Sequence, residues 1–253
     1  KVEDYDKVDY AKAMEMYADR FADPNNFTFT FVGNIDVETF KPLVEQYLAS
    51  LKKNKRKDNW KDVGLGVADN SYSTHYRKEM QDPKTSVYMI YDGEMEYNFY
   101  NEVYMDVLSD VLDIVYTKTI REEQGGTYGV GVMGQTMNRP KDGFMFYIAF
   151  DTNDEVYATL MDIAKAGLKD IAENGPRQED LSKVLENKLK KRTEQLQENR
   201  FWASAIMTQV TDDMDILTEY ENIIKGVTVE SVAEFAKQVL NGNLKEVVQL
   251  PAK

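Results

Sequence analysis

The apolar positions of this chain come in short runs whose period switches between about 3.6 and 2, the marks of helix and strand. Residues 8–21, VDYAKAMEMYADRF, set Ala13, Met16, Tyr17 and Phe21 on one helical face. Pro24-Asn25-Asn26 turns the chain. FTFTFV at 27–32 then alternates apolar with polar, which predicts a half-buried strand ended by Gly33-Asn34. A second helix is expected over 38–51, with Leu43, Val44, Tyr47, Leu48 and Leu51 apolar and Pro42 in its first turn. Residues 52–71 are charged, then glycine-containing, without a period, and read as a linker. Strands are expected at 72–80 and 85–91. Residues 95–119 carry the strongest helical pattern: Tyr100, Val103, Tyr104, Val107, Leu108, Val111, Leu112 and Val115 recur at three and four, enough for a broad buried face. Two strands, 127–137 and 143–151, flank the turn-rich stretch from Asn138 to Gly143. Helices follow at 154–173 and 178–199, divided by Gly175-Pro176, and again at 200–221 and 228–240. The chain closes on a strand, LKEVVQL, at 244–250.

One pattern occurs twice. VDYAKAMEMYADRF from Val8 and VTVESVAEFAKQVL from Val227 align without gaps, pairing Ala13 with Val232, Met16 with Phe235 and Phe21 with Leu240. Each is followed by a short turn and a strand. An internal repeat predicts that residues 1–51 end one copy of a fold and that 72–253 form a complete second copy. The first residue is Lys1 rather than Met, which reads as a processed form or an excised fragment.

Composition narrows the functions. A formal net charge of −13 argues against nucleic acid, which needs a basic footprint. The one basic cluster, Lys188 to Arg192, lies in a glutamate-rich helical stretch and reads as a solvated face. No apolar run approaches the ~18 residues of a membrane span. The absence of cysteine removes disulfides, thiol catalysis and thiolate metal sites.

The stretch from Ile120 to Gln135, IREEQGGTYGVGVMGQ, contains G-x-G-x-x-G at Gly129, Gly131 and Gly134. A dinucleotide site needs a strand before these glycines and a helix after them, so that a helix N-terminus meets the pyrophosphate. Here the order is reversed, and nucleotide binding is rejected. Gly125-Gly126 instead end the long helix, where a left-handed residue is needed. Arg121 sits in the helix's last turn, a favourable place for a cation. Tyr128 lies just beyond, at the start of a strand. Gly129 and Gly131 leave one face of that strand bare, so that another backbone could approach.

Arg121-Glu-Glu-Gln-Gly-Gly-Thr-Tyr128, running from helix end into strand, resembles the Arg-x6-Tyr signature of the pitrilysin/insulinase family of zinc metallopeptidases. FTFTFVGNIDVETFKPLVEQYLASL resembles the strand and helix that end one family repeat, and VTVESVAEFAKQVLNGNLKEVVQL the closing segment of the next. The resemblance implies an α+β fold, a mostly antiparallel sheet covered by long helices. It implies that zinc, held by H-x-x-E-H and a distant Glu in an N-terminal domain, activates water with the motif Glu as base. The C-terminal domain closes over an extended peptide that adds to a sheet edge. By the same resemblance, Arg121 binds a substrate carbonyl and Tyr128 stabilises the oxyanion. The lone histidine, His75 in THYRKEM, has no second histidine with which to form the motif. The chain is therefore expected to bind no catalytic zinc and to be inactive alone, zinc being supplied by an N-terminal domain or a partner subunit. The alternative is a non-catalytic member that binds peptides or serves as an assembly partner. For compartment, the reading leans to a bacterial periplasm or cell envelope.

Overall fold

The computed structural model describes residues 2–52, 59–64 and 66–252. The chain divides into two compact units, one of residues 1–63 with 199–207 and one of residues 64–198 with 208–253. The expected linker at 52–71 falls partly on residues 53–58 and 65, outside the described residues.

The first unit is built on two amphipathic helices, α1 (Tyr10–Arg20) and α2 (Val37–Tyr47). Asp9 and Asp36 cap them through backbone amides of Lys12 and Thr39. Because Asp36 starts α2 at Val37, Pro42 falls inside the helix and not in its first turn as expected. The strand predicted at 27–32 is corrected as well. Those residues pair with no strand among the described residues, and without a ladder an alternating pattern does not make a strand. Phe27 and Phe29 lie 6.2 Å apart as next-nearest neighbours, and Phe31 meets Phe40 edge-on at 5.0 Å. Neither helix buries a residue.

The second unit is an α+β layer structure. Its strands are β1 (Tyr72–Lys78), β2 (Thr85–Gly93), β3 (Val130–Met137), β4 (Gly143–Thr152) and β5 (Asn243–Pro251), in the spatial order β1-β5-β2-β4-β3. Among the described residues β1 and β5 alone run parallel; the other three pairings are antiparallel, as the resemblance implied. Helices α3 (Phe99–Tyr116), α4 (Tyr157–Asn174), α5 (Gln178–Gln195) and α8 (Val229–Leu240) bury a common core with one face of the sheet. Val87, Met89 and Tyr91 of β2 and Phe144, Phe146, Ile148 and Phe150 of β4 point into that core. The alternate positions carry Tyr72, Tyr76, Tyr88 and Met133, all exposed, so the opposite face of the sheet is open.

The pattern of α3 holds at Val103, Tyr104, Val107, Leu108, Val111 and Leu112, all buried. Tyr100 departs from it. It is exposed and stacks on Tyr104 at 4.2 Å. The helix expected over 200–221 is two helices, α6 (Asn199–Asp212) and α7 (Tyr220–Gly226). Asp213 takes a left-handed conformation at φ 53°, and the Asp215 carboxylate accepts the amides of Leu217 and Thr218 at 2.7 and 3.1 Å. Short polar side chains that satisfy nearby amides compete with the helix.

The basic cluster is a solvated face only in part: Lys190 and Lys191 are exposed. Lys188 and Arg192 are one helical turn apart and both are buried. Lys188 bridges Asp106 at 2.5 Å and Asp110 at 2.9 Å on α3. The Arg192 guanidinium lies 4.4 Å over the ring of Tyr220 and donates to the carbonyl of Ile216.

Candidate functional site

The segment from Arg121 to Tyr128 joins the helical layer to an edge of the sheet. After Tyr116, α3 widens into a π-helical turn, Thr117–Glu122, that carries Arg121. Gly125 then takes φ +62°, and its amide bonds the carbonyl of Arg121 at 3.1 Å, so the expected left-handed exit is where the pattern placed it. Thr152 Oγ1 donates to the carbonyl of Gly126 at 2.6 Å and ties the turn to the end of β4. Thr127 Oγ1 donates to the carbonyl of Gly129 at 2.9 Å. The chain enters β3 at Val130, three residues later than expected, which leaves Tyr128 in the connecting turn.

Both predicted residues are on the surface. Arg121 is exposed and forms no ion pair with a described residue; Tyr128 is fully exposed, its hydroxyl unengaged by any described residue. No hydrogen bond links one to the other. Tyr128, with Tyr88, Gly129, Ala149 and Asp151, lines a groove of about 370 Å³ at the open side of the sheet. Arg121 lies outside that lining. Sequence reasoning missed Asp151 at the groove's rim. Burial opposes its charge, but hydrogen bonds from Lys84 Nζ and Ser86 Oγ, both 2.6 Å, hold its carboxyl below the usual range. Its alternation with Phe150 along β4 was the available signal.

Among the described residues β3 pairs with β4 alone, and its outer edge carries no further strand. The three glycines of the false fingerprint prove unequal. A Cβ on Gly129 would meet nothing within 4 Å, and one on Gly131 would stand 3.7 Å from the carbonyl of Ala149. A Cβ on Gly134 would come within 2.3 Å of Met105 Sδ and 2.8 Å of Phe146. The amide of Gly134 also donates to Ser109 Oγ at 3.0 Å. Gly134 is there so that α3 can lie against β3.

Among the described residues no group of three or more His, Asp or Glu side chains could hold a metal ion. His75 is exposed on β1, its ring edge-on to Tyr157 at 5.9 Å. The described residues therefore offer no ligand set for zinc.

The family model described as Peptidase M16 inactive domain matches residues 10–188, and the chain belongs to that family. A zinc protease PQQL-like protein of Arabidopsis thaliana is 26% identical over 220 residues, covering 82% of this chain and 23% of that protein. The probable zinc protease PqqL of Escherichia coli (strain K12) is 25% identical over 238 residues, covering 92% of this chain and 25% of that one. The crystal structure of the periplasmic protease PqqL from Escherichia coli matches 94% of this chain and 27% of its own at a TM-score of 0.77 and 24% identity. That likeness shows the fold. The chain spans about a quarter of the length of these relatives. No helix among the described residues is long and apolar enough to cross a membrane.

Proposed function

We propose that this chain is the C-terminal, substrate-closing part of a zinc metalloendopeptidase. The observation that carries the reading is the Arg121–Tyr128 turn, with both side chains exposed beside the groove and the open edge of β3. Membership of the M16 inactive-domain family and the zinc-protease names of the relatives support it.

In this reading an extended peptide adds to the free edge of β3, its backbone continuing the ladder and one side chain entering the groove between Tyr88 and Tyr128. The guanidinium of Arg121 donates to a substrate carbonyl and fixes the register of the peptide. The phenol of Tyr128 donates to the oxygen that gains charge as the scissile carbonyl becomes tetrahedral. Zinc and the general base come from a domain preceding this one or from a partner subunit, and the peptide is cut between the two. The periplasmic setting of PqqL favours a periplasmic or envelope location for this protein as well.

The test is made in the complete protein. Arg121→Ala and Tyr128→Phe should lower kcat/KM for peptide hydrolysis by ~10²-fold or more while zinc content stays at that of the parent. Unchanged hydrolysis in both variants would take the pair out of the mechanism. A complete protein that binds peptides but neither holds zinc nor hydrolyses them would favour the non-catalytic reading, to which the family's description as inactive lends weight.

A further inference from the structure

A second recess opens at the other end of β4 from Tyr128. It encloses about 230 Å³, and Met137, Pro140, Phe144 and Met145 form its apolar walls. Met145 and Asp151 are six residues apart on β4, so about 20 Å separates this recess from the groove beside Tyr128. Its base is tightly built: a Cβ on Gly143 would stand 2.8 Å from the carbonyl oxygen of Gly93. The volume lies below the roughly 300–1,000 Å³ of sites that hold whole cofactors or drug-sized molecules, and suits one long side chain.

Carboxylates surround these walls. Asp92 is 7% exposed, and its Oδ2 pairs with the ammonium of Lys245, itself 2% exposed. No described residue bonds its other oxygen, which is left to the recess. Asp69 accepts from Asn243 Nδ2 at 3.1 Å, and Asp142 accepts from the amide of Tyr97 at 3.2 Å. Neither has an ion pair with a described residue, whereas Glu94 pairs with Lys141 at 3.1 Å. Four negative charges thus stand against two positive ones. The Glu94 carboxylate holds the Lys141 ammonium above its ordinary range, and Asp69 and Asp92 add to the pull. The recess therefore already draws a cation to its mouth. These carboxylates do not gather into a group that could hold a metal ion, so the cation they suit is an organic one.

We propose that this recess binds the side chain of an arginine presented by a polypeptide. The methylene stem lies against Met137, Pro140, Phe144 and Met145. The guanidinium donates to the free oxygen of Asp92, within the field of Asp69 and Asp142. A guanidinium offers five N–H donors in one plane and is more weakly hydrated than an ammonium, which suits carboxylates set around an apolar wall. Lys141 competes for the same carboxylates and swings aside, as its exposed position allows. The inference does not rest on the roles given to Arg121 and Tyr128, since the recess is lined by neither.

Methyl NMR of the complete protein, labelled at methionine, tests it, because Met137 and Met145 report from the walls. The probe is Nα-acetyl-arginine N-methylamide, compared with its citrulline counterpart, which has the same shape and no charge. The arginine probe should shift both methyl signals saturably, and the citrulline probe should bind on the order of 10-fold more weakly. Asp69→Asn and Asp142→Asn should each weaken arginine binding by ~2–5-fold, and Lys141→Gln should tighten it by a similar factor, because it removes the competing cation. A folding defect does not tighten binding, so the Lys141 variant separates loss of charge from loss of structure. No shift at Met137 and Met145, equal binding of the two probes, or weaker binding to Lys141→Gln would each overturn the proposal.

Discussion

Adding one methyl group at Gly134 should damage this domain, whereas the same change at Gly129 or Gly131 should not. The Cβ of Gly134→Ala would stand 2.3 Å from Met105 Sδ, 2.4 Å from Met105 Cγ and 2.8 Å from Phe146. Ordinary carbon contacts begin near 3.5 Å, so roughly 1 Å must be found. Met105 is 1% exposed and Phe146 is fully buried, which leaves the thioether little space to swing into. Relief then comes from moving β3 away from α3, which stretches the 3.0 Å bond between the Gly134 amide and Ser109 Oγ. Overpacking of this kind costs ~1–3 kcal/mol, offset by ~0.4–1 kcal/mol because alanine restricts the unfolded chain. A net loss of about 1 kcal/mol is expected, equal to a fall in Tm of roughly 2–4 °C for a chain of this size. Gly129→Ala and Gly131→Ala should stay within ~0.5 kcal/mol of the parent. Urea unfolding followed by far-ultraviolet circular dichroism measures all three. Equal stability of the Gly134 and Gly131 variants would refute the close helix–strand contact as the reason for the glycine.

The buried cation and a half-buried acid give further tests. Lys188→Met keeps the apolar stem but leaves Asp106 and Asp110 facing each other without a counterion; both are partly exposed and can rehydrate, so a loss of about 2 kcal/mol is expected in place of the ~3–5 kcal/mol of a fully enclosed pair. Asp106→Asn, which leaves Lys188 with Asp110, should cost under ~1 kcal/mol, and a larger loss than that of Lys188→Met would reverse the assignment. Burial raises the carboxyl of Glu102 above its ordinary value, against hydrogen bonds from Thr136 and Tyr97 that lower it. The folded chain then holds this proton more tightly than the unfolded one, and its contribution to stability falls as pH rises above the ordinary glutamate value of about 4.3. Glu102→Gln should accordingly stabilise the protein at pH 7 and lose that advantage below about pH 4; equal unfolding free energies at both pH values would contradict it.

Where local pattern and tertiary packing agreed, the sequence was informative. Val103 to Leu112 in α3 and Val232 to Val239 in α8 follow a helical period because the sheet covers one side of each. The Gly125 exit and the placing of Arg121 and Tyr128 around it followed from helix-end chemistry and from the resemblance. The failures have equally local causes. FTFTFV has a strand's alternation, but alternation alone supplies no ladder, and no strand among the described residues pairs with it. The break between α6 and α7 rests on Asp213 and Asp215, whose side-chain bonds carry no periodic signal. Lys188 and Arg192 looked solvated because their burial depends on carboxylates 82 and 78 residues earlier and on the ring of Tyr220. Their spacing of one helical turn was the only local hint. Asp151 went unnoticed because its role at the groove rim depends on Lys84 and Ser86 across the sheet.

The most direct measurement is steady-state peptide hydrolysis by the complete protein carrying Tyr128→Phe, with zinc content determined on the same sample. The proposed mechanism requires kcat to fall by ~10²-fold or more, KM to change little and zinc to stay at the parent level, since in that proposal the phenol acts on charge that appears only in the transition state. Parental kcat at parental zinc content would contradict it.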